Sequence, residues 1–343
     1  MLLEKLNKLN LPPLQSREQM LHAIQEYEFG FIPEKPEKIR FTVEENVIPK
    51  FCAGNAVCNK VTAHCTVNGK EFSFPFYANI PVNRTNIPFF IHVNFRPDNP
   101  DRYMPTEEII DNGFAVFSVY YEDITSDDGD FTDKLAGILF ENGKREKNSP
   151  GKIAMWAWAS HRIMDYAYTL GDVLDLSCGT VCGHSRLGKT ALFAAATDER
   201  FFCGYSNDSG CSGASLARGT TGETVQEICM RFPFWFCENY YECASNEEAM
   251  PFDQHYLLGA ITPRKVLIGS ASLDAWADPV AEFMCCYAAS DAFPKGFACE
   301  NRLPVCGDEF LEGDIGYHQR YGMHYFSRLD WQKLIKFVNL HRE

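Results

Sequence analysis

The segment Val181-Cys-Gly183-His184-Ser185-Arg186-Leu187-Gly188-Lys189-Thr190 passes from apolar residues through small ones to a serine, then into residues that favour a helix. Those types in that order suit nucleophilic chemistry. A serine at a sharp strand-to-helix turn has its hydroxyl pushed out above a sheet. The N–H of the next residue then faces the place where negative charge develops on an attacked carbonyl. The usual spacing is Gly-x-Ser-x-Gly; here Leu187 stands at the second glycine's place and Gly188 follows one residue later. Two other readings fit the same residues. From Gly183 to Thr190 the chain satisfies GxxxxGK[ST], a phosphate-cradling loop, and Ser185 could also be a plain helix cap. A phosphate loop requires a later apolar strand ending in an Asp that helps hold Mg²⁺, and no clean example follows. A serine nucleophile requires an acid and then a histidine further along the chain. Gly316-Tyr-His318-Gln-Arg-Tyr-Gly322-Met-His324 offers two histidines just before the closing helix, of which one can be the base.

The surrounding elements must hold such a turn at the edge of a sheet. Residues 1–40 read as a helical, Pro-rich lead-in, with an amphipathic helix ending at Pro12-Pro13. From about Arg40 to Tyr77 polar and apolar residues alternate around the turn Val67-Asn68-Gly69-Lys70, which predicts antiparallel strands. Apolar runs at 87–94 and 114–121 predict buried strands. Helical spacing predicts a buried helix over 153–167. Then come a strand at 179–183, a helix from Ser185 through Ala196, strands at 201–206 and 265–271, and a last helix over 330–341. Strands alternating with helices predict a mostly parallel sheet covered on both faces. The whole chain, 1–343, reads as one domain, with 211–260 an insertion near the active site, where lids and pockets tend to lie.

Composition narrows the partners. Hydrophobic residues make up 45% of the 343 and charged residues 23%, ordinary for a globular chain. With a net charge of −14 and no Lys/Arg-rich run, nucleic acid and anionic membranes are not expected as partners. No run approaches the roughly 20 apolar residues that span a bilayer. The 14 Cys are scattered inside apolar segments without a CxxC pair, so reduced buried thiols are expected and a metal is not. The N-terminus lacks a basic start followed by an unbroken apolar stretch, which as given points to the cytoplasm; secretion would require a longer precursor.

Gly183-His-Ser185-Arg186-Leu-Gly-Lys189 resembles the Gly-Cys-Ser-Arg-x-Gly-Lys signature of glucuronoyl esterases, with His184 in place of the Cys. That signature itself contains the Gly and Lys spacing of a phosphate loop. Four further segments are similar to bacterial members: Trp156–Asp165, Asn207–Ala214, Pro251–Leu258, and Asp274-Ala-Trp276-Ala-Asp278-Pro279 with Glu282-Phe283. The resemblance spans roughly 85–340 in order. It implies an α/β-hydrolase fold, a three-layer sandwich. The implied activity is cleavage of esters between (4-O-methyl-)glucuronic acid on xylan, or its fragments, and an alcohol of lignin, without metal or cofactor. It implies Ser185 as nucleophile, His324 as base, Arg186 as an oxyanion donor, Lys189 on sugar hydroxyls and Trp276 lining the sugar site. The acid is expected at Asp274, with Asp208 as a second acid or substitute. Ser185 and His324 should then lie within hydrogen-bond reach.

Each residue also has an ordinary reading. Lys189 could be a solvated helix residue and Trp276 core. Asp278 is expected to order its loop. His255 and His318 are expected to be structural, and Trp235 to belong to the core. Two other functions fit the scaffold: a sugar-ester deacetylase such as an acetyl xylan esterase, and a non-catalytic carbohydrate-binding protein on a hydrolase fold.

Overall fold

In the computed structural model, which describes residues 2–244 and 246–342, ten strands form one sheet. They are β1 (Lys38–Glu44), β2 (Ala56–Val67), β3 (Lys70–Pro81), β4 (Ile87–Asn94), β5 (Ala115–Tyr120), β6 (Leu174–His184), β7 (Cys203–Asn207), β8 (Lys265–Ala271), β9 (Glu309–Phe310) and β10 (Ile315–Arg320). Their order is β1-β2-β3-β5-β4-β6-β7-β8-β10-β9. Strands β5 to β10 through the middle are parallel; β1, β2 and β3 at one edge and β9 at the other pair antiparallel.

Burial follows the side-chain pattern. All eight residues of β4 are buried, as a central strand covered on both faces requires. Phe89, Ile91 and Val93 of β4, with Ala115 and Phe117 of β5, join the larger core, which contains the buried helix Lys152–Ala167 and the helix Arg186–Thr197. The alternate residues Phe90, Phe114 and Val116 enter a second core with Trp331 and Leu334 of the closing helix Arg328–His341. A period-two strand cannot place neighbours on one face, so two cores on opposite faces define three layers.

Three expectations need correction. The first helix stops at Leu6 instead of running to Pro12-Pro13, and a second spans Arg17–Ile24, capped by Ser16. The helix predicted from Ser185 begins at Arg186. No strand is predicted between 271 and the closing helix, yet β10 lies there and contains His318; it has no apolar signature because its buried residues include His, Gln and Arg. The thiols match their expectation. All 14 cysteines are free, and all but Cys299 and Cys306 are buried.

Candidate active site

Ser185 sits between the end of β6 and the Arg186–Thr197 helix with φ 56° and ψ −128°. A non-glycine residue in that region is strained and persists only where its surroundings enforce it. Here the Ser185 N–H donates to the Asn207 carbonyl of the neighbouring strand at 2.9 Å, and its carbonyl accepts from Gly188 N–H at 2.8 Å. The two flanking glycines are needed for close approach. A Cβ on Gly183 would lie 2.1 Å from the Leu187 carbonyl oxygen, and one on Gly188 would lie 2.7 Å from Ser206 Oγ. Gly188 is thus the glycine of the turn, displaced by one residue.

This geometry removes both rival readings of the segment. Ser185 occupies the N-cap position, but its side chain makes no capping hydrogen bond and is left free of that ordinary role. A phosphate loop needs a wide excursion between its glycines. In this chain His184 is still strand and Arg186 already helix, leaving a one-residue turn. As the first helical residue, Arg186 has an N–H with no acceptor inside the helix.

All seven residues nominated from the sequence line one cleft of about 370 Å³: Ser185, Arg186, Lys189, Asp208, Asp274, Trp276 and His324. His324, on the loop after β10, contacts Asp274 through Nδ1 and Oδ2 at 2.6 Å. Asp274 also accepts from the Ala277 N–H at 3.3 Å. Asp208, at the end of β7, does not bond to the histidine. Its Oδ1 accepts from Ala271 N–H at 2.6 Å and its Oδ2 from Arg320 and from Tyr325 N–H at 3.4 Å. Burial, then the nearby Glu282 and Asp330 carboxylates, push the Asp208 carboxyl well above its ordinary range. Among the described residues no hydrogen bond joins the Ser185 hydroxyl to His324. In an unliganded hydrolase such contacts are often loose until substrate arrives.

One ligand atom each from Asp208, Asp274 and His324 lie within 4.8 Å of one another, which by residue type could hold a cation. The two carboxylates and His324 Nδ1 are engaged with each other, with backbone N–H groups and with Arg320.

Arg186 is fixed from outside the turn. Its Nη1 donates to Asp127 Oδ2, and the guanidinium sits 4.8 Å from the Trp235 ring centre and 5.3 Å from that of Phe95. Asp127 also accepts from Trp235 Nε1 at 2.7 Å and Tyr121 Oη at 2.9 Å. Trp235 is therefore both buried, as expected, and a wall of the cleft.

Lys189 is buried, not solvated, and donates to the Ser209 carbonyl. Burial lowers its pKa, while Glu223 opposes that shift. Trp276 is exposed, not core, with the Arg231 guanidinium 4.8 Å over its ring. Asp278 orders its loop by accepting from Thr221 N–H at 2.7 Å and Ala281 N–H at 3.0 Å. His255 and His318 are structural: one contacts the Pro12 carbonyl at 2.9 Å, the other Tyr205 Oη at 3.1 Å.

Sequence reasoning missed two contributors. His184 packs its ring 4.4 Å from that of His324 and is held through Nδ1 by Asn207 Oδ1 at 2.8 Å. Burial first, then the neighbouring His324, push the His184 pKa down to about 3, so this neighbour stays neutral. Its place beside the serine was a usable signal. Asp127 was not legible, because Ser126-Asp-Asp-Gly-Asp reads only as a polar loop.

A serine on a strained strand-to-helix turn, a histidine after the last parallel strand and an acid bonded to it, on a sheet of this order, define the α/β-hydrolase class. Within that class the chain belongs to the glucuronyl esterase family, whose fungal description, "Glucuronyl esterase, fungi", matches residues 63–295. It is 39% identical over 243 residues to carbohydrate esterase MZ0003 from an unknown prokaryotic organism, covering 68% of this chain and 55% of that protein. It is 28% identical over 282 residues to the 4-O-methyl-glucuronoyl methylesterase of Phanerochaete carnosa, covering 80% of this chain and 65% of that one. The chain thus spans less than two thirds of the length of these curated relatives. Among solved structures it is similar to the glucuronoyl esterase of Solibacter usitatus, with TM-score 0.84, 27% identity and coverage of 95% of this chain and 92% of that one. It is also similar to a promiscuous CE15 esterase from a marine bacterial metagenome, with TM-score 0.83, 28% identity and coverage of 95% and 91%.

Proposed function

We propose that this chain is a serine carboxylic-ester hydrolase acting on esters of (4-O-methyl-)glucuronic acid, carried on xylan or its fragments. The observation that carries the reading is the 2.6 Å contact of His324 with Asp274 in the same cleft as Ser185, Lys189 and Trp276.

In this mechanism His324 Nε2 takes the Ser185 proton as the hydroxyl attacks the ester carbonyl. Asp274 holds the hydrogen on Nδ1, so that Nε2 presents its lone pair, and then stabilises the imidazolium. The oxyanion meets the Arg186 N–H and the Arg186 guanidinium; losing one such donor typically costs about 3 kcal/mol. The acyl–oxygen bond breaks and its electron pair leaves on the alcohol oxygen, which receives the proton from His324. Water, deprotonated by the same histidine, then attacks the acyl-enzyme and releases the uronic acid. Lys189 offers a cation to the sugar hydroxyls and Trp276 an exposed ring to the sugar face.

The test compares hydrolysis of methyl glucuronate with that of an acetylated xyloside, by the intact protein and by Ser185→Ala. Cleavage of the uronate ester, lost in the variant, supports the reading. Cleavage of the acetate alone assigns a deacetylase. Turnover of neither, with no fluorophosphonate adduct at Ser185, assigns a non-catalytic protein.

A further inference from the structure

Lys152 holds its charge in an unfavourable place. It is the first residue of the buried helix Lys152–Ala167, its side chain is fully buried, and the positive end of the helix dipole lies beside it. Burial lowers its pKa, while the carboxylates of Asp133 and Asp128 oppose that shift. A charge in such a position persists only where its partners meet it closely.

Those partners come from one loop, 125–133. The Lys152 Nζ donates to Thr125 Oγ1 at 2.7 Å, to Ser126 Oγ at 3.2 Å and to the Asp130 carbonyl, and it lies 3.6 Å from Asp133 Oδ1. An ammonium has three N–H bonds, and all are used. The same acceptors then organise the rest of the loop. Thr125 Oγ1 donates to Asp133 Oδ1 at 3.0 Å, and Ser126 Oγ to Asp128 Oδ1 at 2.6 Å. Asp133 also accepts from Ser126 N–H at 3.1 Å, and Asp128 from Asp130 N–H at 2.9 Å. The Phe131 ring closes the cluster, its centre 4.6 Å from Nζ. Hydroxyl, carboxylate and carbonyl oxygens are the donor set of a hard cation, and here the chain supplies the cation itself.

Between Ser126 and Asp128, both tied into this cluster, stands Asp127. Its carboxylate takes the Arg186 guanidinium, the Trp235 indole N–H and the Tyr121 hydroxyl, so the place of Asp127 decides the place of Arg186. We infer that Lys152 is a positioning residue for the ester hydrolysis: its ammonium is a built-in counter-ion that gathers the 125–133 loop, so that Asp127 holds the Arg186 guanidinium at the cleft. The inference rests on the function proposed above, which gives Arg186 its place at the oxyanion.

Lys152→Met keeps the bulk of the side chain and removes its charge. With methyl glucuronate its kcat should fall about tenfold, the loss expected of Asp127→Asn, with KM changed less than threefold. Lys152→Met combined with Asp127→Asn should be no slower than Asp127→Asn alone, because the first change acts through the second residue. Lys152→Ala removes the stem and ammonium that n-propylammonium reproduces. That amine should therefore restore kcat with a saturable dependence, and n-propanol should not. The rate of fluorophosphonate labelling at Ser185 should follow kcat in every variant. Asp133→Asn alters a partly exposed carboxylate of the loop and should lower kcat about threefold, an arm that stands if neither Lys152 variant folds. A folded Lys152→Met protein within threefold of the parent kcat overturns the inference, as do additive losses in the double variant or equal rescue by propanol. If neither Lys152 variant folds, an unchanged kcat in Asp133→Asn overturns it. If no uronate ester is cleaved, the proposed function falls separately, and the labelling rates decide the role of Lys152 by the same comparisons.

Discussion

Asp274→Asn removes a charge from the site while keeping the side chain's shape, and its cost can be worked from the geometry. The carboxylate contacts His324 Nδ1 at 2.6 Å, so when the ring takes the Ser185 proton the opposite charges are centred about 4 Å apart. Near a protein surface such a pair is worth about 4 kcal/mol; the ring is 43% exposed, and solvent screening brings this to about 2 kcal/mol, roughly thirtyfold in rate. The new amide can also donate to Nδ1. That fixes the hydrogen on Nε2 and removes the lone pair that must accept the serine's proton, for about 1.4 kcal/mol or a further tenfold. The expected loss in kcat is therefore about 300-fold. If Asp208 substitutes as the acid, it should set the residual rate. Asp274 is one of the charges that hold its carboxyl toward the neutral form, so the substitution lets Asp208 ionise more easily. Residual activity should rise with pH as it does so, and Asp208→Asn on top of Asp274→Asn should abolish that rise. The assay is pH-stat hydrolysis of methyl glucuronate, with thermal melting to confirm folding. A folded Asp274→Asn protein within tenfold of the parent kcat would refute the assignment, and a larger loss in Asp208→Asn alone would exchange the two acids.

Asp127→Asn should lower kcat about tenfold with KM changed less than threefold, because it loosens the guanidinium expected to meet the oxyanion; steady-state kinetics separate the two constants. Lys189→Met should raise KM for the uronate ester tenfold or more, the loss of a charged hydrogen bond of about 1.5–3 kcal/mol, and leave fluorophosphonate labelling of Ser185 intact. Stability should also depend on pH through Glu28, a buried carboxyl raised to about 8 by desolvation although Gln254 donates to both its oxygens at 3.2 Å. A raised carboxyl favours the folded state while protonated. Its contribution is present in full below the ordinary value of 4.5 and is lost as pH rises through about 8. The melting temperature should fall over that window, and Glu28→Gln should flatten the fall.

The amino-acid order alone specified the parallel sheet, since buried central strands must be apolar on both faces, as at 87–94, and half-exposed ones must alternate, as at 56–67. It also located the nucleophile turn, because a strand, small residues, a serine and a helix-forming run are local and leave a local trace. Long-range pairings leave none. Asp274 and His324 stand 50 residues apart, and either acid was compatible with the sequence until the ends of β7 and β8 were placed side by side. Packing decided that Lys189 is buried, that Trp276 is not, and that Asp127 reaches Arg186 from 59 residues away. It also hid β10, where Tyr205 meets the buried His318, and Asp208 and Asp330 meet the buried Arg320. A side chain's hydrogen-bond partner is fixed by where strands end in space, and the order of residues along one strand says nothing of the end of the next.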